Sequence, residues 1–447
     1  DPALNRLVEQ ALSDNLQVKA AFARVKQARA IARQAGAARL PQLNANASYS
    51  RQQNRNPLQD FGATAPGAPP QARTYQIDAQ NISLAASYEL DIFKKLSNGT
   101  KAAALDALAV RDQAEAMTIS LVAQIADSWF LLVTQHARLK LLDEQIKTSE
   151  DFLALAEMRL GQGLGSSLDM LQQKQNLETI KNQRPLVEST IAVLENQLSA
   201  LVGKAPGQLS LEVPEILPEL PPRPGRGLPA DLLDRRPDVR AARRSVESAD
   251  YRVAVAVANR LPGLRLTGQF GYQSTVIEDL FKTNVWNIVG GLVAPIFNGG
   301  RLKAEVKRNQ AVVEERSYNY GQTLLQAIVE VENALMQETK QLEYITALEG
   351  QYLLAQQTLT EARARYSAGL GDQSFLQVLS ALSAQQNMEL ALLQSKRQVL
   401  AYRVQLCRAL GGGWTRELGV EHTDDDAPTS TPAEGSSVDN EKAAHHE

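Results

Sequence analysis

Apolar residues recur along much of this chain at the four-three spacing of a helical seam. From Lys101 to the turn at Gly161 there is neither proline nor glycine, and Leu121, Ile125, Leu132, Leu139, Leu142, Ile146, Leu153 and Leu160 mark one face. Arg301 to Ala368 repeats the design, interrupted only by Gly321 and Gly350, with Ile328, Val331, Leu335, Leu342, Ile345 and Tyr352 on the seam. About 60 to 65 residues of helix span roughly 90 to 100 Å, which no compact globule accommodates. Each long helix ends at a glycine turn (161–165 and 369–371) and is followed by another periodic stretch, predicting two antiparallel helical hairpins.

A different period precedes each hairpin. Leu43, Ala45, Ala47 and Tyr49 alternate with Asn44, Asn46, Ser48 and Ser50, and Ile82, Leu84, Ala86, Tyr88 and Leu90 continue the alternation after a slip near Asn81. Leu264, Leu266, Phe270 and Tyr272, then Trp286, Ile288, Leu292 and Ile296, repeat it. The chain thus contains itself twice. At an offset of 221, Arg39-Leu40-Pro41 matches Arg260-Leu261-Pro262, and Val18, Ala20, Ala21, Val25 and Ala28 match Val239, Ala241, Ala242, Val246 and Ala249. The predicted organisation is a first repeat over 1–202 (helix, strands about 42–54 and 75–93, long helix about 97–162, returning helix about 168–202). A connector with seven prolines covers 203–230. The second repeat covers 231–414 (helix, strands about 264–275 and 284–297, long helix about 300–368, returning helix about 373–410), and an acidic tail over 415–447 is expected to be disordered.

Strands of ten or so residues match the span of a tilted membrane strand, but four cannot close a barrel, and an open edge in lipid leaves backbone groups unsatisfied. If these strands meet lipid, copies must share one wall. Composition removes the competing readings. A net charge of −3 gives no bulk attraction to nucleic acid, and no transmembrane helix is expected. Cys407 is the single cysteine and is expected to be buried and inert; His136, expected at the surface, is the only histidine before the tail. No cofactor, metal or catalytic site is expected, since neither a phosphate-binding glycine loop nor a metal motif is present.

Four motifs in order, Tyr88-Glu89-Leu90-Asp91-Ile92-Phe93, Leu228 to Arg240, Pro295 to Arg301 and Ala409 to Trp414, resemble the outer-membrane factor (TolC-like) family of tripartite efflux pumps. The resemblance runs from about residue 3 to 414. It implies a mixed α/β membrane protein: a homotrimer whose chains each give four strands to one twelve-stranded outer-membrane β-barrel, continuous with a periplasmic α-helical barrel. The lipoprotein-type branch, whose mature members often begin with a lipidated cysteine, is the one suggested; this chain starts at Asp1. The implied function is a passive exit duct for drugs and other amphiphiles, with outer-membrane lipid, a periplasmic adaptor protein and an inner-membrane transporter as partners. A structural coiled-coil scaffold spanning the envelope is the alternative from another class.

The resemblance also places a periplasmic gate at the helix tips. Asp169 matches the carboxylate that ties neighbouring helices and Tyr366 the gate tyrosine; each also has a local reading, Asp169 as helix cap and Tyr366 as seam packing. The arginine expected after the second glycine turn is replaced by Gly371 or Asp372. The pore-facing aspartates are replaced by Phe375 and Val378, or by Gln377 and Ser380, depending on a two-residue gap. Closure by an apolar or amide constriction with weak cation preference is the expectation. Adaptor contact is expected at Gly161, Gly163, Ser166, Ser167, Ser367 and Gly369.

Overall fold

Two short polar side chains set the first helices. Asp1 caps α1 (Pro2–Asp14) by accepting from the amides of Ala3 and Leu4. Asn15 ends α1 and caps α2 (Leu16–Ala37), accepting from Gln17 and Val18, while its own amide donates to the Leu201 carbonyl at 2.7 Å. The first helix of the sequence is therefore two, because an asparagine that bonds both neighbours competes with helix continuation. The computed structural model describes residues 1–55, 74–223, 235–368 and 375–412, all within the unit Asp1–Gly412. Gly369, Asp372 and the 415–447 tail lie outside the described residues.

Next come β1 (Gln42–Arg55), β2 (Thr74–Leu90), α3 (Lys95–Gly161), α4 (Ser167–Lys181), α5 (Arg184–Val202) and α6 (Pro237–Ala258). Then follow β3 (Gly263–Ser274), β4 (Asn284–Val293), α7 (Arg301–Ala368) and α8 (Phe375–Ala409). The sheet is antiparallel in the order β1-β2-β3-β4, so β1 and β4 are its two edges. Strand passes to long helix almost without a loop. Asp91 accepts from the amides of Leu96 and Ser97 at 2.9 and 2.7 Å, which supplies donors' partners at the α3 start. At α7 the same turn is made by Gly299 and Gly300, with φ of 61° and 83°, and Asn298 accepts from Leu302. These devices end β2 at Leu90 and β4 at Val293, short of the expected 93 and 297.

α3 and α7, 67 and 68 residues long, form the two long rods. α3 packs on α2, α4, α5, α6 and α8, and α7 on α6 and α8. The returning helix expected over 168–202 is broken at Asn182 and Gln183, because Pro185 has no amide to donate to the Lys181 carbonyl and its ring crowds that group. On α7 the buried line is Ala327, Ala334, Glu338, Ile345 and Leu348; Leu335 is half-buried and Leu342 exposed. The expected seam thus rotates, since small residues let α6 and α8 approach and larger apolar ones are displaced outward. One stretch of α3 is apolar and long enough to cross a membrane by length and composition, contrary to expectation; half of it is buried in the protein, around Trp129, Leu132 and Val133.

The proline-rich connector is strapped down by charge. Glu338 on α7, with no exposed surface, accepts from Arg403 of α8 at 2.9 Å and from Arg223 of the connector at 2.7 Å. Arg403 also donates to the carbonyls of Pro221 and Pro222. Burial pushes the Glu338 carboxyl up, but the two guanidiniums outweigh it and hold the group below its ordinary 4.5. Removing the charge strands Arg403, itself only 5% exposed. Glu338→Gln is expected to cost about 3 to 5 kcal/mol, and Glu338→Met with Arg403→Met to recover most of it, read by unfolding of the detergent-purified protein. Because the folded value is depressed, the carboxylate's contribution is complete above pH 4.5 and declines as pH falls through the lower folded value. The Gln variant should lack that acid-dependent loss.

Candidate functional site: a two-faced sheet and a helical tip

Register divides the sheet into two chemically distinct faces. Pairing puts Leu43, Ala45, Ala47 and Tyr49 beside Ala86, Leu84, Ile82 and Gln80; Leu84 and Ile82 lie beside Phe270 and Tyr272, Tyr88 lies beside Leu266, and Trp286, Ile288 and Leu292 continue the face across β3. From Leu90 to Ile82 this face has no charged residue, and Leu43, Leu84, Phe270, Trp286, Ile288 and Leu292 are all exposed. The belt runs about 26 Å along the strand, or about 20 Å high at a tilt of about 40°. The opposite face carries Asn44, Asn46, Ser48, Asn81, Ser83, Ser87, Thr267, Gln269 and Asn287. A sheet with an exposed apolar belt on one side and amides and hydroxyls on the other has the two-faced alternation that a membrane-barrel wall requires. At Gly271 an added Cβ would strike the Ile82 carbonyl and sit 2.6 Å from Ser83 Cβ, so glycine permits the tight approach of β2 and β3.

The slip near Asn81 has a structural cause. Beyond the Gln80–Ser274 pair β2 has no β3 partner, and only the β1–β2 hairpin continues, to Arg55 and Thr74. There the apolar face turns polar, with Arg51 donating to both carboxylate oxygens of Asp78 at 2.7 and 3.0 Å. The alternation ends where the hairpin rises above the belt.

At the far end of the rods, Phe152 of α3, Tyr366 of α7 and Phe375, Val378 and Leu382 of α8 form one buried cluster. Arg159 lies over the Tyr366 ring at 4.4 Å and donates to the Tyr366 carbonyl at 2.7 Å, tying the ends of α3 and α7 together. Burial, then the charge of Asp169, push the Tyr366 phenol up, with Arg159 opposing, so the ring stays neutral. Asp169 forms a capping box with Ser166, whose side chain accepts from Leu168 while Asp169 receives the Ser166 amide. Gly163, at φ 71°, makes the turn between α3 and α4.

The structure brings Tyr366 and Phe375 together, with ring centres 5.3 Å apart, and leaves Gln377 and Ser380 exposed on α8. Phe375 and Val378, at 1% and 2% exposure, are core residues of one protomer, which corrects Phe375 as a duct-lining residue: α8 uses that face to pack on α3 and α7. Gly161, Gly163, Ser166, Ser167 and Ser367 are exposed or half-exposed at the tip. Arg159 was missed by sequence reasoning; its signal was the arginine before each glycine turn, Arg159 and Arg365, although Arg365 pairs with exposed Glu361 instead. His136 and Cys407 are half-buried rather than surface and fully buried, and among the described residues no metal-capable cluster of three occurs.

The outer membrane efflux protein profile matches residues 7–204 and 228–412. The pyoverdine export outer membrane protein OpmQ of Pseudomonas aeruginosa is 31% identical over 424 residues, covering 92% of this chain and 86% of the relative. The toluene efflux pump outer membrane protein TtgI of Pseudomonas putida is 30% identical, over 93% and 86%. The outer-membrane channel OprN superposes with a TM-score of 0.85 at 26% identity, over 93% of this chain and 91% of that one. VceC of Vibrio cholerae superposes at 0.83 and 27%, over 93% and 97%. The chain belongs to the outer membrane efflux protein family, and is an outer-membrane efflux channel protein whose helices extend into the periplasm.

Proposed function

We propose that three copies close one twelve-stranded barrel and one helical tunnel, forming a passive exit duct for drugs and other amphiphiles. The observation that carries this is the sheet's pair of edges, β1 and β4, unpaired among the described residues and flanking an exposed apolar belt. In hydrocarbon each bare amide or carbonyl costs several kcal/mol, and head-to-tail pairing of β4 with a neighbour's β1 removes every edge. An exposed stripe on α7, Tyr318, Leu325, Val329 and Met336, supports the same arrangement among the helices, as do Leu168, Leu171, Leu186 and Val193 on α4 and α5.

In this reading a periplasmic adaptor meets the tips around Gly161, Gly163, Ser166, Ser167, Ser367 and Gly369, and an inner-membrane transporter supplies the energy. Gln377 and Ser380 of three chains form an amide and hydroxyl constriction with weak cation preference, and Arg159 latches each tip. Detergent-purified protein is expected at three times the chain mass, and cysteine at Ser167 should crosslink to the adaptor; a monomer, or crosslinking confined to the strand end, contradicts the assembly. Arg159→Ala removes a charge-assisted hydrogen bond and a ring contact worth about 2 kcal/mol, and should raise the open probability of single channels about 30-fold. An unchanged open probability would remove Arg159 from the latch.

A further inference from the structure

Among the described strand residues, the polar face of the sheet holds charge at one level only. Along β1 it presents Gln42, Asn44, Asn46, Ser48, Ser50 and Gln52, and on β2, β3 and β4 only uncharged residues, until Glu89 and Arg265 face each other at the helix end. Lys95, the first residue of α3, bonds the same carboxylate, so Glu89 is already neutralised. Arg265 stands 3.7 Å from Glu89, with its side chain 66% exposed. The three groups line a cavity of about 810 Å³ on the polar side, together with Thr267, Val289 and Gly291. Other charges there are offset in pairs: Asp91, which also accepts from the α3 amides, by the nearby guanidinium of Arg39, and Arg301 by Glu305 at 3.8 Å. Each chain thus contributes two cations and one anion at this level, a net charge of plus one.

On the reading that the polar face lines a threefold duct, we infer that Arg265 is its charge-reading residue: three guanidiniums form a cationic ring where barrel meets helical tunnel. Above the ring the wall is neutral, so no other strand residue competes to set the potential. Rings of one sign in a narrow, low-dielectric wall repel like ions and concentrate opposite ones. The ring favours passage of anionic groups, such as the carboxylate of an amphiphile, and slows cations, independently of the periplasmic tip.

Single-channel recordings in planar bilayers under a KCl gradient test this. Arg265→Glu should raise the potassium-to-chloride permeability ratio about twofold or more, and Glu89→Gln should lower it. The exchange Glu89→Arg with Arg265→Glu keeps the net charge and should restore the wild-type ratio. The differences should fade near 1 M salt, where the Debye length is about 3 Å, a dependence that altered folding would not produce. Channels of normal conductance whose reversal potentials ignore both single substitutions overturn the ring. Wild-type protein that conducts nothing would overturn the duct instead.

Discussion

Hydrocarbon offers no partner to a peptide group, and this constraint organises the molecule. A sheet whose belt is exposed from Leu43 to Leu292 is suited to lipid, yet β1 and β4 each present a row of donors and acceptors. Among the described residues neither edge has a strand partner, because the strand order runs straight from one to the other. In the proposed assembly, sharing the wall among copies answers a demand of the backbone rather than adding a refinement of function. The helices follow from it: each strand pair hands to a rod through Asp91 or through Asn298 and its two glycines, so in the proposed assembly the barrel wall sets where the tunnel wall stands.

The rods must hold their own geometry over about 100 Å, and they do so with little bulk. The first 20 residues of α3 bury Ala102, Ala107, Ala109 and Ala114, and α6 buries Ala241, Ala249 and Ala256; these alanines bring the axes close but contribute modest apolar area. Charge fixes the register instead. Asp112, 2% exposed, meets Arg240 at 3.0 Å and also Arg244; Ser248 bonds Asp106 at 2.6 Å. Burial drives the Asp112 carboxyl up despite both guanidiniums. Such a group gains little stability over an apolar pair, but a slipped register would leave it unpaired and costly. The Glu338 network does the same for the connector, which has few amides of its own to offer.

Much of this was legible in the sequence because period is a local property. Alternation placed all four strands within a few residues, and the long proline-free runs closed by glycine turns bounded both rods. Pro185 was equally visible, but the apolar spacing on either side of it masked the break. Buried charge was not legible: Glu338 finds Arg403 and Arg223 at separations of 65 and 115 residues, and only folding makes them neighbours. The tip was ambiguous for a sharper reason. Phe375 and Gln377 are two positions apart on one helix, about 200° of rotation, so a two-residue gap decided which of them entered the core.

That rotation has consequences for how the duct divides its work. With Phe375 and Val378 committed to the core, α8 turns toward solvent only Leu376, Gln377 and Ser380 near the tip. None of these three carries charge, so in the proposed duct the α8 constriction narrows the passage without itself setting a strong potential. Among the described strand residues the polar face above is likewise uncharged until Glu89 and Arg265, beside Lys95 of α3. In the proposed duct, width and charge are therefore governed at opposite ends of the same rods, by side chains that belong to different elements and share no partner. A duct built this way can open its tip through the α3 and α7 ends, where Arg159 grips Tyr366, while the field at the barrel junction stays as it was.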